Sequence, residues 1–367
     1  RDYAVTGVQT CALPIYEIEP KGLILRIDTW HYLVTEQQEF YSGYGIGGDS
    51  VVKYEMIDGS GKAHGDQMYY YVIPLNDHIF VANDGYKSVF IDDDGIVLKN
   101  YPVFYFPIKA TLEFETVMIS PLDDQLGRMS WEMSLDGSML NELHKYDTVH
   151  SNLTYHTQVI SDYLGSSVFY PVFQSTNSQV QTNLNKGIFE IVKSNTTSQN
   201  MQGIMDYDVV DRIKVTAKTD YSIEIIGGVM VYRVEGYWMG LGASHANPHK
   251  QTYFFDLNTG EQFQVEQLFD ATKPWKQALL EKVDALLMAD ESLFLYYDKN
   301  TPAEVRLKAY EKANLGLNFT FGGLEIYFPV YELGPYAALF PSCEIALTEM
   351  ADYYDQNGNF YKSLFGF

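Results

Sequence analysis

The chain has 367 residues, 46% hydrophobic and 15% aromatic with 30 Tyr, enough apolar material for more than one core, which excludes disorder as a description of the whole. Its 25 basic residues face 48 acidic ones, a formal charge of −23, so a phosphate backbone would be repelled and sequence-independent nucleic-acid binding is disfavoured. The same charge would attract a basic partner, or would simply keep the chain soluble.

Residues 1–15 are set aside, because Val5 to Ile15 reads as the translation of a sequencing-library adapter. The natural N-terminus is expected to have been lost with it, and any signal peptide, lipoprotein cysteine or membrane anchor too. Membrane association is therefore expected only through such a missing anchor, since no run of 18 apolar residues occurs in the sequence. Cys11 belongs to the scar, which leaves Cys343 alone, so neither an intrachain disulfide nor a zinc cluster of cysteines is expected. Cys343, in Phe340-Pro341-Ser342-Cys343-Glu344-Ile345, reads as a buried and inert thiol.

From Tyr16 to about Tyr146 short apolar strands alternate with Gly/Asp turns. Lys53, Ile57, Asp58 and Gly61 recur as Lys87, Ile91, Asp92 and Gly95, an internal repeat at an offset of 34. Gly59-Ser60-Gly61 and Asp93-Asp94-Gly95 are predicted to reverse the chain between strands. The unit Asp84 to Val97 resembles a degenerate WG repeat, a bacterial β-hairpin module, although the Trp-Gly pair of that family is Ser88-Val89 here and Tyr54-Glu55 in the earlier copy. A boundary is placed in the polar stretch 145–152.

Beyond it, strands mix with helices. Leu184, Ile188, Ile191 and Val192 keep a helical period, and Tyr221, Ile223 and Ile225 alternate as a strand before Gly227-Gly228. Thr252 to Asp256 and Gln262 to Val265 flank a hairpin turn at Leu257-Asn258-Thr259-Gly260. Trp275, Leu279, Val283, Leu286 and Leu287 form an apolar helical stripe starting near Pro274, and Thr301-Pro302-Ala303-Glu304 reads as a capping box opening a second helix. Leu317, Phe319 and Phe321 lead through Gly322-Gly323 into Leu324, Ile326 and Phe328, a further strand pair. The predicted class is α+β: a β-rich hairpin-repeat region at 16–148, then helices packed on antiparallel sheet at 149–354 (subdomains 149–235 and 236–354), then a tail at 355–367.

Four ordered strings in the last third match a known family. They are Gly242-Ala243-Ser244-His245-Ala246-Asn247-Pro248, then Tyr253 to Glu261 with Gln267-Leu268-Phe269, then Gly323 to Phe328, then Tyr331-Glu332-Leu333-Gly334-Pro335-Tyr336-Ala337-Ala338 followed by the predicted strand Glu344 to Leu347. This region resembles the C-terminal extracytoplasmic domain of RsiV-type anti-sigma factors, and with the preceding segment around Tyr170 to Phe173 the resemblance covers about 153–354. It implies an extracytoplasmic bacterial module, met in anti-sigma factors, in lipoproteins and ahead of polysaccharide deacetylase domains. In the anti-sigma setting it recognises lysozyme, a strongly basic protein, and the sign of this chain's charge is complementary.

Candidate chemistry is sparse. His245 and His249 are four apart, but Pro248 argues against a helix aligning them on a metal, and within the family motif His245 is expected to organise its loop by hydrogen bonds. Asp355 to Asn359 and Asp92-Asp93-Asp94 could hold a cation, yet read as turns. Gly43 to Gly48 approximates a nucleotide-binding glycine run without the helix that should follow it. Nucleophile-elbow, zinc-protease and P-loop patterns are absent. No cofactor is expected, and the chain is expected not to be an enzyme. The predicted recognition surface comprises Tyr331, Glu332, Gly334, Pro335, Tyr336 and Phe340, with His245 and Asn247 from the first string, because aromatic anchors give contact area at low entropic cost. The alternatives are an accessory domain of a polysaccharide- or peptidoglycan-modifying enzyme whose catalytic domain lies elsewhere, and a structural surface lipoprotein.

Overall fold

A computed structural model of the chain describes residues 24–34, 53–85, 87–122, 127–144, 146–150, 152–161, 167–197, 215–240, 245–320 and 322–366. Phe321, Gly242 to Ser244, the glycine run at 43–48 and the scar at 1–15 lie outside these described residues. The chain divides into two compact units, Arg1–Leu143 and His144–Phe367, a division just before the stretch 145–152 in which the sequence predicts a boundary.

Among the described residues, the first unit is built from three sheets. One runs β1(Ile24–Arg26), β2(His31–Val34), β3(Tyr54–Asp58), β4(Ala63–Tyr69) in that order. The second joins β5(Tyr71–Pro74), β6(Ile79–Asn83) and β7(Ser88–Asp92). The third has the order β11-β10-β9-β8 for β8(Ile108–Glu113), β9(Thr116–Pro121), β10(Met129–Ser134) and β11(Met139–His144). Each strand pairs with its sequence neighbour, the pattern expected of short apolar runs cut by tight turns. Tyr54, Met56, Tyr69, Phe80 and Ile91 share one buried cluster, each contributing about 1.5–3 kcal/mol of burial.

The residues offset by 34 form matching turns. Asp58 Oδ1 accepts the backbone N–H of Ser60 and Lys62 (2.8 and 3.1 Å), and Asp92 Oδ1 accepts those of Asp94 and Ile96 (3.0 and 2.9 Å). Gly61 and Gly95 both take positive φ, 84° and 73°. The copies then diverge: Ile57 pairs with Ala63 inside β3–β4, whereas Ile91 meets Val97 in an isolated bridge without a second strand.

The second unit is organised by one sheet of order β12-β13-β14-β15-β16-β17-β18. Its strands are β12(Asp147–His150), β13(Leu153–Ser161), β14(Ser167–Ser175), β15(Val215–Ile226), β16(Val229–Gly240), β17(Asn247–Asp256) and β18(Gln262–Phe263). Neighbours pair antiparallel except β14 and β15, which run parallel and meet at Ser167↔Lys218 and Val168↔Thr219. That exception follows from α1(Ser178–Thr197), which lies between them in the chain, since parallel neighbours need a long crossover. The expected division at 235/236 would cut β16, whose pairing with β15 runs unbroken through Glu235 and Gly236, so the large sheet continues across that point.

Strand periodicity assigns the two faces of this sheet. Met230, Tyr232 and Val234 of β16 pack with Leu184, Ile188 and Val192 of α1. Val229 and Val231 share the opposite cluster with Leu279, Val283 and Leu287 of α2(Trp275–Ala289) and Tyr310 of α3(Ala303–Lys312). A three-stranded sheet, β19(Gly316–Phe319), β20(Leu324–Tyr327) and β21(Ser342–Ile345), completes this face. It is tied to the large sheet by Arg233, whose Nε donates to Asn318 Oδ1 at 2.7 Å and whose Nη2 donates to Phe319 O at 2.7 Å and to Glu224, and by Lys250 Nζ to Glu325 at 3.1 Å.

Four local expectations are corrected. Residues 355–367 are not a tail: α4(Asn359–Phe365) buries Phe360 and Leu364 in the core, and Gly228 N–H donates to Ser363 O at 2.6 Å. The capping box at Thr301 does not form, because the N-cap is Pro302 and the Thr301 hydroxyl turns back to Asp298 Oδ1 at 3.1 Å. On α2 Leu286 is 40% exposed and Leu280 takes the buried place, since the buried face is turned toward Leu280 and Asp284 relative to the expected stripe. The strand expected over Glu344 to Leu347 ends at Ile345, where a 3-10 helix over Leu347–Tyr353 takes over.

Candidate functional site

The segment between β20 and β21 leaves the small sheet and returns to it at a neck closed by Phe328 N–H donating to Pro341 O at 2.9 Å. Such a loop, with its ends held together on a rigid sheet, presents side chains at a defined place. Within it Glu332 N–H donates to Pro329 O, and Pro335 opens a 3-10 turn over Tyr336–Ala338, with Ala338 N–H donating to Pro335 O at 2.8 Å. Gly334 is buried, and a Cβ there would stand 2.3 Å from Phe294 O, so the closeness of the two chain segments requires glycine. Tyr331 sits at φ 71° and Leu339 at φ 50°, both at positive φ and both 48% exposed.

His245, just before β17, comes to this loop from far away in the chain. Its ring stacks on Tyr336 with centroids 3.8 Å apart and an interplanar angle of 23°. Its Nε2 lies 3.3 Å from the Tyr331 hydroxyl and its Nδ1 3.2 Å from Ala246 O. One tautomer satisfies both contacts: Nδ1–H donates to the carbonyl, and Nε2 accepts from the tyrosine. Tyr331 and Tyr336 complete a three-ring group, their centroids 6.1 Å apart.

Of the residues singled out in the sequence, His245, Tyr331 and Tyr336 therefore meet, Gly334 and Pro335 build the turn beneath them, and Glu332 is exposed beside Tyr331. Phe340 goes elsewhere: it is half-buried with its ring edge-on to Tyr327 at 6.5 Å. Asn247 opens β17 opposite Trp238, in the sheet and outside the ring group. His249 is separated from His245 in role, packing at 3.3 Å on the Thr219 hydroxyl, where burial lowers its pKa. Burial pushes the Cys343 thiol up to about 12, so it stays protonated and unreactive at neutral pH. Among the described residues no three His, Cys, Asp or Glu side chains are placed to share a metal ion.

Two exposed aromatics escaped the sequence reading. Phe294 (67% exposed) and Tyr296 (56% exposed) lie on the extended link between α2 and α3, which is tied to the loop by Tyr296 N–H donating to Leu333 O at 2.8 Å. The signal was present in Leu293-Phe294-Leu295-Tyr296-Tyr297: an extended run that is apolar at every position must turn one alternate set outward. Leu293 and Leu295 pack on the core, which leaves Phe294 and Tyr296 to the surface.

No family model matches the chain, and no curated protein does. The solved structures similar over part of the chain include two from one family. A DUF3298 family member from Bacteroides fragilis is 14% identical with a TM-score of 0.37, over 61% of this chain and 98% of that one. A DUF3298 family protein from Pseudomonas aeruginosa is 12% identical with a TM-score of 0.33, over 57% and 96%.

Proposed function

We propose that the chain is a non-catalytic, extracytoplasmic binding module of the bacterial cell envelope that recognises a basic protein, lysozyme being the partner to test first. The observation that carries the reading is the ring group itself: Tyr331 is held outward at positive φ, against His245 and Tyr336, next to the carboxylate of Glu332. Exposed Phe294 and Tyr296 on the adjoining link enlarge the apolar surface, and Asp290 and Glu291 begin that link, Glu291 being paired with Lys299 Nζ at 3.0 Å. Aromatic anchors ringed by carboxylates suit a surface rich in Lys and Arg, through both desolvation and cation–π contact. The four strings similar to RsiV-type domains support the same reading, and the paired turns of the first unit fit a WG-like hairpin module in front of it.

Calorimetric titration with lysozyme at low and at physiological salt tests the proposal. Binding that weakens as salt rises is expected, because the encounter is electrostatic. No heat and no co-elution at either salt would remove lysozyme as the partner, and turnover of peptidoglycan by the purified chain would contradict the non-catalytic assignment.

A further inference from the structure

In the first unit, Glu113 of β8 pairs with Thr116 of β9, which leaves Phe114 and Glu115 as a two-residue turn. Tight hairpins of this length take a positive φ at the first turn residue, the place where Gly fits without steric cost. The chain follows that rule in its second unit, where Ile226 pairs with Val229 and Gly227 stands between them at φ 60°. At the equivalent place in the β8–β9 turn stands Phe114, at φ 58° and 100% exposed. Its ring buries nothing in the fold, so the fold alone gives no return for a bulky residue in this conformation.

The surroundings say what would cover it. Thr116 also pairs with Ser134, so the β10–β11 turn lies at the same end of the sheet. That end carries Leu112 (37% exposed) and Leu135 (38% exposed) beside Phe114, together with the exposed carboxylates of Glu113, Glu115 and Asp136. Asn100 Nδ2 donates to Asp136 O and the Tyr101 hydroxyl to Leu135 O, which fix the second turn. Lys99, next to Asn100, leaves the carboxylates in excess. An anionic membrane or a second copy of a chain of charge −23 has the wrong sign for this surface.

We infer that the β8–β9 tip is a second interaction surface, in which Phe114 enters an apolar pocket on a basic protein whose surrounding Lys and Arg meet Glu113, Glu115 and Asp136. The surface lies on the other unit from the Tyr331 loop and stands independently of it. Phe114→Gly in the full chain tests it, because the substitution suits the backbone and removes only the ring. Thermal stability is expected to rise, while titration with lysozyme as the basic probe shows about a tenfold weaker affinity or the loss of one binding equivalent. Native lysozyme binding in Phe114→Gly together with loss in Tyr331→Gly overturns this inference and leaves the first reading standing; the reverse result does the opposite. A fall in melting temperature for Phe114→Gly, no lysozyme binding by the unaltered chain, or Phe114-dependent binding to phosphatidylglycerol vesicles also overturns it.

Discussion

Tyr331 occupies positive-φ backbone that costs a non-glycine residue about 1–2 kcal/mol, and its side chain is half exposed. Tyr331→Gly relieves that cost but gives up the His245 hydrogen bond and the Tyr336 contact, so the melting temperature should stay within about 2–4 °C, the equivalent of about 1 kcal/mol, measurable by calorimetric scanning, while binding is lost. A loss of stability is expected at Gly334: Gly334→Ala drives a methyl into the Phe294 carbonyl 2.3 Å away and should cost about 1–3 kcal/mol, lowering the same transition. These residues differ in how far the sequence announced them. Gly334-Pro335 signals a turn, and tyrosines beside it make a plausible surface. The stacking of His245 on Tyr336 arises from the long-range fold of β17 against the small sheet, which no local pattern encodes.

Among the elements, α2 and α3 are clasped by one buried ion pair, and the link carrying Phe294 and Tyr296 runs between them. Arg306 Nε and Nη2 each donate to Asp284 at 2.7 Å, and the Tyr310 hydroxyl adds a third bond at 3.1 Å. The Arg306 hydrogen bonds lower the Asp284 pKa against the opposing effect of burial, with Tyr310 assisting. A depressed carboxyl pKa stabilises the fold fully above the unfolded value of about 3.9. That contribution is lost as pH falls through the lower folded value. Arg306→Ala, which strands the buried carboxylate, should cost about 3–5 kcal/mol at neutral pH. Asp284→Asn should flatten the acid limb of a plot of melting temperature against pH below about 4. Helix existence was readable from the stripe in Trp275 to Leu287, and the start of α3 at Ala303 from the Thr301-Pro302-Ala303-Glu304 string, whereas its cap was not, because Asp298 captures the Thr301 hydroxyl that a capping box would have used. The β14–α1–β15 crossover was likewise hidden, since strand periodicity is blind to whether neighbours run parallel.

For the molecule as a whole, each unit carries an exposed aromatic residue at positive φ, Phe114 at a hairpin tip and Tyr331 in the β20–β21 loop. A net charge of −23 predicts that association with a basic protein slows and weakens as salt rises, which stopped-flow mixing across a salt series would measure. The α+β class was legible because strand and helix periods alternate clearly after residue 153, and the sheet's continuity through Glu235 was not, because the sequence shows a strand there without showing how far its pairing extends. Residues 355–367 read as a tail for a related reason: the burial of Phe360 and Leu364 depends on partners such as Phe254, remote in sequence. The central claim is that the β20–β21 loop and its neighbours grip a basic protein. Hydrogen–deuterium exchange of the full chain with and without lysozyme measures this directly. Protection is expected in peptides covering 329–340, 293–297 and 245–247; a complex that leaves these peptides unchanged while protecting others would contradict it.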